Sequence, residues 1–473
     1  MPDVEGVLEG RTLPNVVTIL VLAAALSGSA FGQKEFQAKA PSREATPSTP
    51  YEAVTKSGLK YLWWLPENLE KKKPVGITII CHGTGGDRRW GAWNQKPKVF
   101  RPDDVVLSLD GPSPGQGESR LFLAEKDDLE QVAETIAEAK KAFQADRVFL
   151  YGHSQGGFFV ALFAGKYPTL VDGFCSHASG FWTETDLAGL KGLPVALMHG
   201  SRDPVVPYRQ SVGSRDHAFE NGVKSILLRR VEFYNHWPNA VRANEALDWC
   251  EGLSTKEPRR ALELARRIVA AKPPDEYSFS AAPPFGAARD ILRRFEAAPA
   301  RPFPKPDAAL AGEAKALAQK IEAEVKRHVE ALKKSVGKKA DLVLGEKNYL
   351  GHLAALREDA RGVDLAEAYF KAIDFDAVAK QHAKTAGKLL EQWYASGEKD
   401  PLGFARAFGA EISNCFLFEG FPPETYEAMQ KAADDPALTK SKKDEAAALS
   451  IRRWHTGWSE GAKSYRNLWN DWK

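Results

Sequence analysis

The chain has 473 residues, more than one ordinary domain holds, and its 43% hydrophobic and 27% charged content excludes a disordered polypeptide. A net charge of +3 without a long basic run argues against nucleic acid as a partner. Four cysteines, Cys81, Cys175, Cys250 and Cys415, stand in no C-x-x-C spacing, so no zinc pattern is present and they are expected to be structural thiols.

Residues 1–30 read as a secretory signal: Val16 to Leu26 is an apolar run, followed by the small residues Ser27, Gly28, Ser29 and Ala30. That run is too short for a stable membrane span. The acidic residues Asp3, Glu5 and Glu9 outnumber Arg11, which is unusual for such a leader. Residues 31–50, rich in Ala, Pro, Ser and Thr, are expected to be a flexible linker.

From 51 to 252 strands and helices alternate. Strands are predicted at Leu59 to Leu65, Val75 to Cys81, Val105 to Leu109, Val148 to Tyr151, Gly173 to Ser176, Val195 to Met198 and Ile226 to Phe233. Helices are predicted at Asp128 to Phe143, where Leu129, Val132, Ile136, Ala139 and Phe143 share a face, at Phe158 to Tyr167, and around Glu245 to Trp249. Strands separated by helices imply an α/β unit, a mostly parallel sheet covered by helices on both faces. Residues 253–473 read as a second, mainly helical domain. Arg259 to Ala271 and Ala308 to Val336 are helical, the latter with Leu317, Ile321, Val325, Val329, Leu332 and Val336 on one face. Helical segments continue near Leu365 to Ala372, Val378 to Tyr394, Pro423 to Ala432 and Asp444 to Trp472. The tail carries Trp454, Trp458, Tyr465, Trp469 and Trp472 at helical spacing, a pattern that fits core packing better than ligand stacking.

Chemistry concentrates at Gly152-His153-Ser154-Gln155-Gly156, a G-x-S-x-G between a predicted strand and a predicted helix. That order is a nucleophile elbow, with Ser154 at the tip of a sharp turn. A serine hydroxyl needs a histidine base, and the histidine needs a carboxylate to fix its tautomer. In a parallel sheet both belong on loops at the carboxyl ends of strands. Asp203, in the loop after Val195 to Met198, is the expected acid, and His236, after Ile226 to Phe233, the expected base. Asp172, Asp186 and Asp216 are less well placed for the acid. His177, His199 and His217 are assigned structural or solvent-facing roles, and His153 packing beside the elbow. The oxyanion donors are expected from the amides of Gln155 and of Thr84, with Gly83 adjacent, in the loop Cys81-His82-Gly83-Thr84-Gly85-Gly86. That loop lacks the G-K-[ST] of a phosphate loop, and neither cofactor nor metal is expected. Asp110 to Gly117 is a candidate wall of the acyl pocket, and Trp90, Trp93, Trp182 and Trp237 fall near the site loops.

The motifs HGTGG, the Asp127-Asp128 helix start, RVFLYGHSQGG, MHGSRDPVVPY and NHWP together resemble the secreted α/β-hydrolase esterases of the polyhydroxybutyrate depolymerase and feruloyl esterase type. The resemblance covers about residues 51 to 252. It implies an α/β-hydrolase fold, secreted or periplasmic location, and hydrolysis of a small-molecule or polymeric ester through an acyl-serine, with Ser154, Asp203 and His236 as triad. The stretch Phe233-Tyr234-Asn235 departs from that group in lacking glycines. Two other readings stand beside it. One is a serine peptidase of the prolyl oligopeptidase type, which usually carries a propeller whose repeats are not seen here. The other is a non-enzymatic interaction protein on a hydrolase fold. Oligomeric state is open.

Overall fold

The structure is a computed structural model. It describes residues 36–336 except 68, 70–73, 96, 201–202, 204, 232–235, 238–239, 272–284, 297–302 and 305, together with positions 388, 392 and 395. The expected signal at 1–30, the helical segments beyond 336, the aromatic tail, Cys415 and the stretch Phe233-Tyr234-Asn235 lie outside the described residues. The chain divides into two compact units, Met1–Ser254 and Thr255–Lys473.

The first unit is built on one eight-stranded sheet. Its strands are β1 (Tyr51–Val54), β2 (Lys60–Trp64), β3 (Val75–Cys81), β4 (Asp104–Leu109), β7 (Ala145–His153), β8 (Gly173–His177), β9 (Val195–Gly200) and β10 (Ile226–Val231). A two-residue hairpin, β5 (Ser113–Pro114) with β6 (Arg120–Leu121), stands apart from it. The sheet order is β1-β2-β4-β3-β7-β8-β9-β10. β1, β2 and β4 pair antiparallel and every other pairing is parallel. Burial on both faces explains the continuous apolar runs: every residue of β3, β4, β8 and β9 is buried.

Helices follow the strands: α1 (Arg89–Asn94), α2 (Lys126–Phe143), α3 (Gln155–Lys166), α4 (Leu187–Leu190), α5 (Arg209–Glu220) and α6 (Ala240–Ser254). The five apolar positions expected to share a face of α2 are all buried. α3 begins at Gln155, directly after the serine, rather than at Phe158, and ten of its residues are buried. β1, α1 and α5 were not expected. β1 has only four residues and α1 only six, and α5 carries too many polar residues to show an apolar stripe. The fold supports the α/β class with its mostly parallel sheet.

Part of the segment expected as a flexible linker is instead tied to β1, to the residue after β2 and to the end of α2. The Lys39 amide donates to Glu52 O at 2.9 Å, Ser48 to Leu65 O at 2.9 Å, and Arg43 Nη1 to Phe143 O at 2.7 Å. Below the sheet, Arg101 is fully buried among Asp104, Asp248 and Glu251 at 2.6 to 2.8 Å, so its charge is matched where water cannot reach it.

The described part of the second unit is helical: α7 (Pro258–Ala270), α8 (Phe285–Leu292) and α9 (Ala308–Val336). On α9, Leu310, Ala314, Ile321 and Val325 are buried at helical spacing. The side chains of Val329, Leu332 and Val336 lie outside the described residues. No described helix is long and apolar enough to cross a membrane.

Candidate active site

β3 lies between β4 and β7, so the chain leaves the carboxyl end of β3 in one direction and returns beside it in the other. Loops after β3 and β7 therefore meet at a topological switch point, where sites of open α/β sheets form. Ser154 sits there at φ +53° and ψ −120°, a conformation that side-chain-bearing residues rarely adopt. Its amide donates to His177 O at 2.9 Å, and its carbonyl accepts from Gly157 and Phe158 at 2.8 and 3.2 Å. The turn is thus held from β8 on one side and by the start of α3 on the other.

The flanking glycines make this closeness possible. A Cβ at Gly152 would stand 2.1 Å from Gly156 O, and one at Gly156 would stand 2.2 Å from Cys81 O. A Cβ at Gly83 would meet the Ser154 Cβ at 3.0 Å, which places the loop after β3 against the serine.

That loop is braced. His82 Nδ1–H donates to Gly83 O at 2.8 Å, and His82 Nε2 accepts from the Gly111 amide at 3.2 Å. Burial holds this ring below the usual histidine range, consistent with the neutral tautomer the two bonds require. Arg120 donates to the carbonyls of Gly111 and Pro112, and its amide donates to Gly86 O at 2.9 Å. The segment Asp110 to Gly117 is therefore clamped to the glycine loop through β5 and β6. The amides of Thr84 and Gln155 have no partner among the described residues, and the buried Thr84 Oγ1 also lacks one. Unpartnered amide donors are what a developing oxyanion requires.

Asp203 and His236 come together from separate loops: His236 Nδ1 donates to Asp203 Oδ2 at 2.7 Å. The Asp203 side chain is fully buried and that of His236 is 12% exposed. Asp203 Oδ1 accepts the Val205 and Val206 amides at 2.8 and 2.9 Å. Burial pushes the carboxyl up, but bonds from His199 and His236 outweigh it and hold Asp203 well below the usual carboxylate range. The competing acids have other tasks. Asp172 accepts the Val148 amide at 2.8 Å, Asp186 caps α4 by accepting from Ala188 and Gly189, and exposed Asp216 pairs with Arg215.

His236 reaches the elbow through His153, whose ring lies 4.7 Å from it. His153 stacks on Trp90 at 5.0 Å, and its Nδ1 is 3.1 Å from Nδ1 of His177, which also contacts the Tyr151 hydroxyl at 3.1 Å. Burial, then the neighbouring imidazoles, holds His153 and His177 far below the usual histidine range. Trp237 is half exposed, its ring 6.4 Å from His153, and Trp182 stacks on Phe158 at 5.8 Å. The side chain of Trp93 lies outside the described residues. Cys81, Cys175 and Cys250 are free and buried. No group of three His, Cys, Asp or Glu suited to a metal ion occurs among the described residues.

Sequence order missed one contact. His199, expected to be structural, stands 3.1 Å from Asp203 Oδ2. It lies four residues before the acid, whereas in this fold the base follows the acid in the chain; its position at the end of β9, just before the acid loop, was the available signal.

A family profile described as alpha/beta hydrolase fold matches residues 78–194, from within β3 to the residue before β9. The 1-acylglycerol-3-phosphate O-acyltransferase ABHD5 of Rattus norvegicus is 30% identical over 123 residues, 25% of this chain and 34% of that protein. Its Homo sapiens counterpart is 29% identical over 124 residues, 26% of this chain and 34% of that protein. The chain thus spans about a third of the length of the curated relatives it matches. Among solved structures, a Bacillus cereus carboxylesterase is 19% identical with TM-score 0.33, covering 41% of this chain and 95% of its own. Est1E of Butyrivibrio proteoclasticus with ferulic acid bound is 19% identical with TM-score 0.31, covering 39% and 90%. With the matched profile lying on strands in the order described, the first unit of this chain has the α/β-hydrolase fold.

Proposed function

We propose that the first unit is a serine hydrolase that cleaves carboxylic esters through an acyl-serine. The observation that carries this reading is the 2.7 Å bond between His236 Nδ1 and Asp203 Oδ2, with the His236 ring 4.7 Å from that of His153 in the elbow. With Nδ1 bound to the acid, Nε2 of His236 is the nitrogen free to act as base. It takes the Ser154 hydroxyl proton as Oγ bonds to the acyl carbon. The carbonyl electrons move to an oxyanion received by the Thr84 and Gln155 amides, with Gly83 shaping the approach. Collapse expels the alcohol, which takes the proton from His236 Nε2. Water then repeats the sequence and releases the acid.

Likeness of motif to depolymerase and feruloyl esterases makes a polymer or plant-derived ester the proposed substrate, and the apolar leader makes an extracytoplasmic location the proposed one. The likeness to an acyltransferase by name supports a second reading, in which an alcohol rather than water discharges the acyl-serine. A p-nitrophenyl ester of a short acid tests the nucleophile. Ser154→Ala is expected to cut turnover by about 10⁴-fold or more while the protein stays folded. Unchanged turnover in that variant would end the reading. Adding glycerol to the assay separates the two fates: free acid as the main product supports hydrolysis, and acylated glycerol supports transfer.

A further inference from the structure

His199 closes β9 and is wholly buried, and the proposed reaction gives it no task. Both of its nitrogens are engaged. Nε2 lies 2.8 Å from Val206 O and 3.1 Å from Asp203 Oδ2. Neither oxygen carries a hydrogen, since one is a carbonyl and the other belongs to a carboxylate held ionised. Nε2 therefore carries a proton, directed to Val206 O as the nearer acceptor, with Asp203 Oδ2 the second oxygen within reach. Nδ1 pairs at 2.7 Å with the hydroxyl of Ser211 on α5, and that hydroxyl lies 2.6 Å from Ser179 O in the loop after β8. His199 cannot itself serve as the base, because it is buried and neither nitrogen is free.

The same carboxylate oxygen thus faces two imidazoles, bonded to His236 at 2.7 Å and 3.1 Å from His199 Nε2, while Oδ1 takes two backbone amides. We propose that His199 is a positioning residue of the triad, holding Asp203 from the side away from solvent and sharing the carboxylate charge that His236 feels. This rests on the serine-hydrolase reading. The relay from β9 through Ser211 to Ser179 ties the acid loop to the loop after β8, the strand whose end also binds the Ser154 amide. Other charged or titratable groups face this ring from the packed elements. Arg230 on β10 is its register partner, with the guanidinium 4.9 Å over the Tyr208 ring, and that ring meets His199 edge-on at 5.8 Å. His177 and His153 stand at the ends of β8 and β7.

Removing the donor leaves more carboxylate charge on the bond to His236. His236 then keeps its proton to higher pH, so the acid limb of the kcat/KM profile moves in the alkaline direction. Three full-length variants test this: His199→Phe removes the donor, His199→Gln keeps an N–H, and Ser211→Ala breaks only the relay. The expected result for His199→Phe is kcat lower by roughly 100-fold with KM within about twofold, and the acid limb shifted up by about half a pH unit. His199→Gln should restore part of both, and Ser211→Ala should show a smaller shift of the same sign. The downfield proton resonance of His236 Nδ1–H should also move in His199→Phe, a signature independent of turnover. An unmoved limb and an unmoved resonance in folded variants, with only thermal stability reduced, would overturn the proposal. If His199→Phe fails to fold, the same two readouts on His199→Gln and Ser211→Ala decide. A wild-type protein without ester turnover, but with the resonance moving in the variants, would sink the esterase reading and leave the coupling of His199 to Asp203 intact.

Discussion

Ser154 occupies a backbone conformation that costs on the order of 1–3 kcal/mol and persists only because the surroundings enforce it. Its enforcers are specific: the His177 carbonyl on its amide and the Gly157 and Phe158 amides on its carbonyl. Asp203 is equally over-determined: three hydrogen bonds reach its two oxygens and His199 Nε2 stands 3.1 Å from Oδ2. Its replacement by Asn keeps the volume and loses the charge that fixes the tautomer of His236. Asp203→Asn is expected to lower kcat for an ester substrate by roughly 10⁴-fold with little effect on KM. Steady-state kinetics over pH checks this, and a loss confined to KM would argue that Asp203 binds substrate instead. At this scale the residues of the proposed triad were legible because each stands at a strand end, in the order serine, acid, histidine that this fold uses. The role of His199 was not, because a contact made across a loop by a buried ring leaves no mark on periodicity or composition. Nor did the sequence show that the Thr84 hydroxyl is buried without a partner.

The elbow works as an element only because β7, α3 and the end of β3 approach within backbone contact. Gly156 is the tightest test, since its Cβ would stand 2.2 Å from Cys81 O and 2.5 Å from His82 O, atoms that cannot rotate away. Gly156→Ala is expected to destabilise the unit by about 3 kcal/mol and to displace the Gln155 amide, with activity falling further than stability. Chemical denaturation together with turnover at low denaturant checks both parts; an equally stable variant would contradict the packing described. The central strands were readable as unbroken apolar runs because both faces of a parallel sheet are covered. The edge strand β1, the short helix α1 and the polar helix α5 were not, since tertiary packing rather than local periodicity sets them. The Ala-, Pro-, Ser- and Thr-rich run before β1 reads as a linker by composition for the same reason. Its hydrogen bonds go to Glu52 O, Leu65 O and Phe143 O, partners remote from its own composition.

For the molecule as a whole, three buried histidines set how stability responds to acid. Burial holds His82, His153 and His177 neutral in the folded unit, below the ordinary value of 6.5 that they regain on unfolding. Below that value the unfolded chain binds protons that the folded one refuses, so stability falls as pH falls. Asp203, depressed in the folded state, adds a second loss below its ordinary 3.8. Thermal melts are expected to show a flat Tm above about pH 7 and a decline setting in near 6.5; a Tm unchanged from pH 8 to 5 would contradict the buried neutral cluster. The elbow and the proposed triad together imply that Ser154 is the nucleophile. The most direct measurement is peptide mass spectrometry after brief exposure of the full chain to a fluorophosphonate. A single phosphonyl adduct on Ser154, absent from Ser154→Ala and slowed in His236→Ala, is the predicted result. A folded protein that takes up no label, or one labelled at another serine, would contradict it.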